Sequence, residues 1–330
     1  MKALLAPLVL LAACAGAQPR PAPMERIERR VMLMGTLLEI AVEAASREQG
    51  LAASERAVEA LEAAEARLST WRDDTELARL NQAPSGEPRS LSPALASDLG
   101  AARRCWEETE RAFNPAVGPL VRVWGLRTGG QSPSAEERSA AVADSRLEDL
   151  RLEGGIAVRE RPGLTLEEGG FGKGAGLGDA MAALAVAGVT RASLDLGGQV
   201  AVLGGGWTVP VADPRQRDRQ AVALAIDGGS VSTSGNSERP GHLLDPRTGE
   251  PVPDFGSVTV WTADPLRADC LSTGLYVLGP EGALRWAAAH PGVEVLVLRV
   301  DGDRLRALAS PGLKGKLKAL DPKVEIEFDV

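Results

Sequence analysis

The chain has 330 residues, with 37 Lys and Arg against 45 Asp and Glu and a formal charge of -8. That acidic balance argues against broad nucleic-acid binding, which needs a concentrated basic surface. Three cysteines give neither a disulfide framework nor a cysteine-rich metal site, although one bond between Cys105 and Cys270 is permitted in an oxidising compartment.

The first residues read as an export signal. Met1-Lys2 is a short positive region, Ala3 to Leu11 is apolar, and Leu11-Ala12-Ala13-Cys14 follows at once. This is the pattern of a signal peptide over residues 1–13 ending in a lipobox, with Cys14 acylated as the first mature residue. The apolar run is too short to cross a bilayer. An ordinary signal peptide with an incidental cysteine is the plainer alternative. Residues 14–28, rich in proline and charge from Gln18 onward, read as a tether. Residues 29–330 then suffice for one large domain or two intimate ones. The expected location is the bacterial cell envelope, lipid-anchored and facing the periplasm, with inner and outer membrane left open.

Val31 to Val42 is mostly apolar and broken by Gly35-Thr36, which predicts a strand pair or a bent strand. Leu51 to Trp71 carries Val58, Leu61, Ala64 and Leu68 at helical spacing among Glu and Arg, an amphipathic helix. Asp73 to Asn81 predicts a short helix and turn, and Pro93 to Arg111 a second long helix. Near Gly118 the composition changes. Gln131 to Arg151 predicts a surface helix with a flexible lead. Short β-rich runs alternate with glycine-dense turns at Thr165 to Gly178, Ala192 to Gly206, Ser230 to Gly249 and Ser257 to Thr262. Asp179 to Ala187 predicts a helix and Val295 to Val300 a strand. The fold class expected is α+β or mixed α/β.

Three segments can carry chemistry. In Glu167-Glu168-Gly169-Gly170-Phe171-Gly172-Lys173-Gly174-Ala175-Gly176-Leu177-Gly178-Asp179, glycines strip side chains from a loop entering a helix. Such a loop exposes amides to phosphate oxygens, and Lys173 adds a positive charge. Gly174 follows Lys173 where a Walker loop has Ser or Thr, and the glycine spacing is not that of a Rossmann fingerprint. A purely structural glycine loop explains the segment equally well.

The second segment is Val231-Ser232-Thr233-Ser234-Gly235-Asn236 with His242-Leu243-Leu244-Asp245-Pro246-Arg247-Thr248-Gly249. Hydroxyls and amides near Ser232 and Ser234 can bind a pyrophosphate, and His242, one of two histidines, can exchange protons near neutral pH. The plain alternative for Asp245 to Gly249 is a hairpin turn with Asp245 accepting nearby amides. His290 reads as a helix-end residue. In the third segment, Arg267-Ala268-Asp269-Cys270-Leu271-Ser272-Thr273-Gly274, a helix places Asp269 and Thr273 on one face. A carboxylate, a hydroxyl and phosphate oxygens suit a hard cation, Mg2+ first with Ca2+ or Mn2+ as alternatives. Asp269 as a helix N-cap is the plain alternative, and Cys270 reads as buried packing.

Taken together the segments resemble the ApbE family, the FAD:protein FMN transferases. Blocks similar to that family run in order: Met34-Gly35-Thr36; Thr75-Glu76-Leu77-Ala78-Arg79-Leu80-Asn81; Phe113-Asn114-Pro115-Ala116-Val117-Gly118-Pro119-Leu120 with Val123-Trp124-Gly125; and Gly169 to Gly174 with Asp179. They continue through Leu194-Asp195-Leu196-Gly197-Gly198, Ser232 to Gly235, His242 to Gly249 and Ala268 to Thr273. The resemblance implies a mixed α/β flavin transferase fold with a glycine-rich cleft for FAD, which is the substrate. It implies a metal held by Gly172 through its carbonyl, Asp269 and Thr273. It places His242, alone or with Asp245, as catalytic base. Met34, Thr36, Lys173, Asp179 at the close of the loop's helix, Ser232, Ser234 and Thr248 would line the cofactor. The reaction implied is transfer of FMN from FAD to a threonine of an acceptor protein with release of AMP. That acceptor would be a periplasm-facing, flavin-carrying subunit of an electron-transport complex.

Departures from the family pattern are Asn114 and Ala116 in a block that commonly reads Phe-Asp-Pro-Thr, Gly172 for alanine, Glu168 for leucine and Ala175 for tyrosine. Leu38 stands where an aromatic often covers the flavin, and the segment between Ser234 and His242 is short. Rival readings are an FAD pyrophosphatase giving FMN and AMP, a non-catalytic periplasmic flavin-binding protein, and a scaffold lipoprotein.

Overall fold

The structure is a computed structural model describing residues 24–237 and 239–328. The expected signal peptide, Cys14 and most of the expected tether lie outside these residues. The described chain opens with the antiparallel hairpin β1 (Glu25–Leu33) and β2 (Thr36–Ala44), turned at Met34-Gly35. The expected strand pair is there but longer, and β1 begins inside the span expected as tether. Its Ile27 is buried against Gly50 of α1 (Arg47–Leu68), where a Cβ would stand 2.5 Å from the Ile27 side chain.

Helix α1 starts at Ser46, whose hydroxyl accepts the Gln49 amide, and buries Ala53, Ala57, Leu61, Ala64 and Leu68 along one stripe. Then come α2 (Glu76–Gln82), β3 (Arg89–Ser90), α3 (Pro93–Glu108), α4 (Gly118–Val123) and α5 (Ala135–Asp144). Strands β4 (Leu150–Glu153) and β5 (Ile156–Arg159) lead to α6 (Gly172–Val186). There follow β6 (Arg191–Leu196), β7 (Gln199–Leu203), β8 (Trp207–Asp213), β9 (Gln216–Ile226), β10 (Gly229–Gly235) and β11 (Gly256–Thr262). The last elements are α7 (Pro265–Ala289), β12 (Glu294–Asp301), β13 (Arg304–Ala309), β14 (Leu317–Ala319) and β15 (Val324–Phe328). Helix α7 breaks at Gly279, before Pro280.

Nine strands form one sheet in the order β1-β2-β6-β7-β10-β11-β12-β13-β15, antiparallel except for β13 with β15. The apolar faces of α1 and α6 meet Leu38, Ile40, Val42, Ala192 and Leu194 of β2 and β6. Helix α7 covers the middle of the sheet through Leu271, Leu275 and Tyr276 against Val258, Val260 and Val295. The small sheet β14-β9-β8 closes a separate core with Val200, Val202, Leu296 and Leu298. A third sheet, β3-β5-β4, packs with α2 and α3. The expected mixed α/β class holds. Among the described residues no helix is long and apolar enough to cross a membrane.

One expectation is overturned. The glycine-dense stretch from Gly172 to Gly178 is not a loop but the first two turns of α6. Glycine is a poor helix former, so tertiary contacts decide. A Cβ on Gly174 would fall on the Pro265 carbonyl and stand 2.6 Å from the Leu266 Cα, and one on Gly176 would stand 2.9 Å from the Leu61 side chain. These glycines let α6 lie directly against the start of α7 and against α1. Gly174→Ala should therefore destabilise the protein by about 2 kcal/mol through overpacking, despite a propensity gain of about 1 kcal/mol. Gly178, with nothing within 4 Å of its Cβ position, should gain stability as alanine. Urea unfolding of the two variants checks the opposite signs.

Candidate functional site

The start of α7 is capped by Asp264, whose carboxylate accepts the Leu266 and Arg267 amides, so Asp269 is not its N-cap. Asp269 lies in the second turn, 3% exposed, and reaches across to α6. Its Oδ2 accepts the Gly174 amide at 2.9 Å, and the Lys173 amide also bonds its carboxylate. Asp269 thus caps another helix, 95 residues away in sequence. Burial pushes its carboxyl up, while the Lys173 charge and the two amides oppose that rise. It has no ion pair among the described residues.

Hydroxyls crowd beside it. Thr273, one turn on, bonds the Asp269 carbonyl at 3.4 Å and Ser234 of β10 at 3.3 Å. Ser272, fully buried, bonds the same carbonyl at 3.0 Å, Ser234 at 2.8 Å and Ser232 at 3.2 Å. Ser232, expected beside the cofactor, is buried beneath this group at 3% exposure and bonds Ser272. Ser272 was not singled out from the sequence, because a lone serine in a helix carries no signal of its own.

Met34 occupies the β1–β2 turn with φ of +50°, and its Sδ lies 3.3 Å from the Cβ position of Gly176, over the first turns of α6. Thr36 sits against the β6–β7 turn, with its Oγ1 2.5 Å from the Cβ position of Gly197. Lys173 is the common electrostatic neighbour: its charge reaches Asp269, Asp195 and His242. Gly172, Lys173, Asp269, Thr273, Ser234 and Met34 are therefore gathered at the start of α6, with Thr36 on the neighbouring turn.

His242 is half-buried, and its Nδ1 lies 2.5 Å from the Arg239 carbonyl. A carbonyl only accepts, so Nδ1 carries the proton and Nε2 keeps its lone pair. Burial pushes the imidazole pKa down, and the Arg239 and Lys173 charges push the same way against the carbonyl bond.

No hydrogen bond among the described residues joins Asp245 or Thr248 to the residues at the start of α6. Both Asp245 oxygens are bonded by the Arg247 side chain, at 2.9 and 2.8 Å, and the Asp245 carbonyl accepts the Gly249 amide at 2.7 Å. The Thr248 hydroxyl accepts the Glu250 amide at 3.2 Å. This is the plain hairpin turn, docked on α4 through the Trp124 Nε1 bond to the Gly249 carbonyl at 2.8 Å. No hydrogen bond among the described residues joins Asp245 to His242. Asp179 does not close its helix but lies in the middle of α6, where Arg67 bonds it at 2.8 Å.

The departures have structural settings. Leu38 is fully buried in the core under α1 and α6, where no ring on a bound ligand can reach it. Asn114 forms a local turn, accepting the Ala116 amide and donating to the Ser145 carbonyl. Glu168 bonds Thr70, whose neighbour Trp71 is 65% exposed beneath the Arg127 guanidinium, 4.4 Å from the ring centre. Trp71, expected as the end of an amphipathic helix, lies beyond the end of α1 at Leu68 as an exposed aromatic. Cys105 and Cys270 are buried free thiols, and His290 closes α7 as expected.

The donors suit a hard cation that keeps water and substrate oxygens: a carboxylate, hydroxyls and backbone carbonyls, the carboxylate buried and without an ion pair among the described residues. Among the described residues no cluster of three His, Cys, Asp or Glu side chains could hold a metal by itself. Any ion here would share its shell with substrate.

Comparison with known proteins gives the family and agrees with the fold. The model of the ApbE family matches residues 34–297. An FAD:protein FMN transferase of Escherichia coli K12 is 28% identical over 340 residues, covering 96% of each chain. One from Rhodobacter capsulatus is 33% identical over 264 residues, covering 74% of this chain and 50% of that one. Among solved structures, the flavin transferase ApbE from Vibrio cholerae superposes with a TM-score of 0.80 at 28% identity, covering 89% of this chain and all of that one. The apo flavinyl transferase from Pseudomonas stutzeri has a TM-score of 0.80 at 25% identity, covering 89% of this chain and 97% of that one.

Proposed function

The chain belongs to the ApbE family and is a flavin transferase, and on that premise we propose that it moves the FMN half of FAD onto a threonine hydroxyl of an acceptor protein, releasing AMP. The observation that carries the finer reading is the buried Asp269 at the start of α6, without an ion pair among the described residues and with Thr273 and Ser234 oxygens beside it.

Asp269, the Thr273 hydroxyl and the Gly172 carbonyl would hold Mg2+, with Ca2+ or Mn2+ as substitutes. When bound, such an ion neutralises pyrophosphate charge and makes AMP a better leaving group. Lys173 adds charge against the nonbridging phosphate oxygens. Nε2 of His242 takes the proton of the acceptor hydroxyl as that oxygen attacks the FMN phosphorus and the bond to the AMP oxygen breaks. Met34 and Thr36 wall the start of the site.

The lipobox supports anchoring at Cys14 in the envelope, facing the periplasm. Cys14 lies ten residues before Met24, a tether reaching at most about 35 Å. Strand β1 then carries the chain roughly 30 Å further to Met34. The acceptor that fits this placement is a periplasm-facing, flavin-carrying subunit of an electron-transport complex.

Intact-protein mass spectrometry tests the reading. The chain without residues 1–14 is mixed with FAD, Mg2+ and a flavin-subunit domain bearing its acceptor threonine. A mass gain on the acceptor of FMN less water is expected, and none with Asp269→Ala. Free FMN and AMP beside an unmodified acceptor would instead assign a pyrophosphatase, and unchanged bound FAD a flavin carrier.

A further inference from the structure

A hydroxyl has one proton and two lone pairs, so the hydroxyl cluster on α7 and β10 has a direction. The Ser272 Oγ bonds the Asp269 carbonyl at 3.0 Å, and that carbonyl can only accept. Ser272 therefore donates there and accepts in its contacts with Ser234 at 2.8 Å and Ser232 at 3.2 Å. With its proton spent on Ser272, Ser234 accepts in its 3.3 Å contact with Thr273. The Thr273 proton is thus drawn to Ser234, or to the Asp269 carbonyl at 3.4 Å. The glycine turn before α6 also lies against this hydroxyl: a Cβ on Gly170 would be 3.5 Å from the Thr273 Oγ1. Ser272 itself is fully buried and reaches no ligand.

We propose that Ser272 is a positioning residue: by collecting the protons of Ser232 and Ser234 it makes Ser234 an acceptor toward Thr273, which leaves a Thr273 lone pair turned to the glycine turn for a divalent cation. This rests on the cation reading given above. A cation binds lone pairs and is repelled by a hydroxyl proton aimed at it, so the direction of the relay matters as much as its distances. Outer partners that orient metal ligands typically carry about 10- to 100-fold in metal affinity. When Ser272 is replaced by alanine, the Ser234 proton is released and can turn onto Thr273, occupying the lone pair that the ion needs.

The test is a titration of Mn2+ into FAD-loaded protein without acceptor, followed by the electron paramagnetic resonance of free Mn2+, with melting temperature as a check on folding. Ser272→Ala is expected to weaken Mn2+ binding by about 10-fold or more. The double variant Ser234→Ala/Ser272→Ala is expected to bind about fivefold more tightly than Ser272→Ala alone, because no misdirected proton remains; this is the same factor, about 1 kcal/mol, by which one hydrogen bond is valued. A packing role for Ser272 predicts the reverse, a double variant no better than the single. Wild-type affinity in Ser272→Ala, or no recovery in the double variant, overturns the proposal while leaving the cation reading intact. No Mn2+ binding by the wild-type protein overturns the cation reading itself, and this one with it.

Discussion

Asp269→Asn is expected to lower flavin transfer by about 1000-fold or more while leaving the fold within about 1 kcal/mol of the wild type. The asparagine amide has the shape of the carboxylate, and its oxygen can still accept the Gly174 amide that Asp269 accepts at 2.9 Å. What it lacks is charge. Burial already works against the charged carboxylate in the folded chain, so its neutral counterpart loses a charge-assisted bond and escapes a desolvation cost of the same order. Among the described residues no group of three His, Cys, Asp or Glu side chains could hold a metal, so no ready-made set of ligands stands in for the lost charge. A loss of about 4 kcal/mol of transition-state stabilisation corresponds to that 1000-fold. Asp269→Ala should lose transfer as well but also leave first-turn amides of α6 without an acceptor, which costs about 1–3 kcal/mol of stability. Transfer assayed by acceptor mass, alongside urea unfolding of both variants, separates the two roles. Asp269→Asn transferring at a tenth of the wild-type rate or better would remove Asp269 from the reaction and leave it a helix cap.

The same residue shows where sequence reading reaches its end. Helices α1 and α3 are legible because their signals are local: Ser46 and Ser92 cap them, and apolar residues recur at helical spacing behind those caps. The β1–β2 hairpin is legible from Gly35 between two apolar runs. Helix α6 is not, since Gly172, Gly174, Gly176 and Gly178 argue locally for a loop, and only Pro265, Leu266 and Leu61, far away in sequence, show why the helix needs glycine at 174 and 176. The direction of Asp269 toward α6 is equally invisible before α6 and α7 are seen side by side. Spacing did place Asp269 and Thr273 on one helical face, and the structure bears that out. The turn at Asp245 is legible from its composition alone, since Asp245 accepts bonds from the Arg247 side chain and its carbonyl accepts the Gly249 amide. Leu38 is not, because a position that faces solvent or ligand in one sequence is indistinguishable from a core position until the strand's inward face is known.

Replacing His242 with glutamine is expected to slow transfer by about 100- to 10,000-fold while leaving FAD binding largely in place. The Nδ1 bond to the Arg239 carbonyl fixes the tautomer, so the lone pair is on Nε2 and only a neutral ring can take a proton there. Burial is the largest influence on the ring and lowers its pKa below the ordinary histidine value of 6.5; the Arg239 and Lys173 charges lower it further, and the carbonyl bond works against them. The sign follows directly. A base with a lowered pKa stays neutral to lower pH, so the acid limb of the rate profile should lie below 6.5. At neutral pH the ring is already in the form the reaction needs. Lys173→Met removes one of the charges that lower it, so the limb should move upward even as the rate falls from the loss of phosphate neutralisation. In His242→Gln the limb should vanish altogether, leaving a slow rate without histidine titration. A limb that persists in His242→Gln at its wild-type position would assign the titration to another group. The nearest ionisable alternative in sequence, Asp245, is already bonded at both oxygens by Arg247, so it would have to break those bonds to serve as the base.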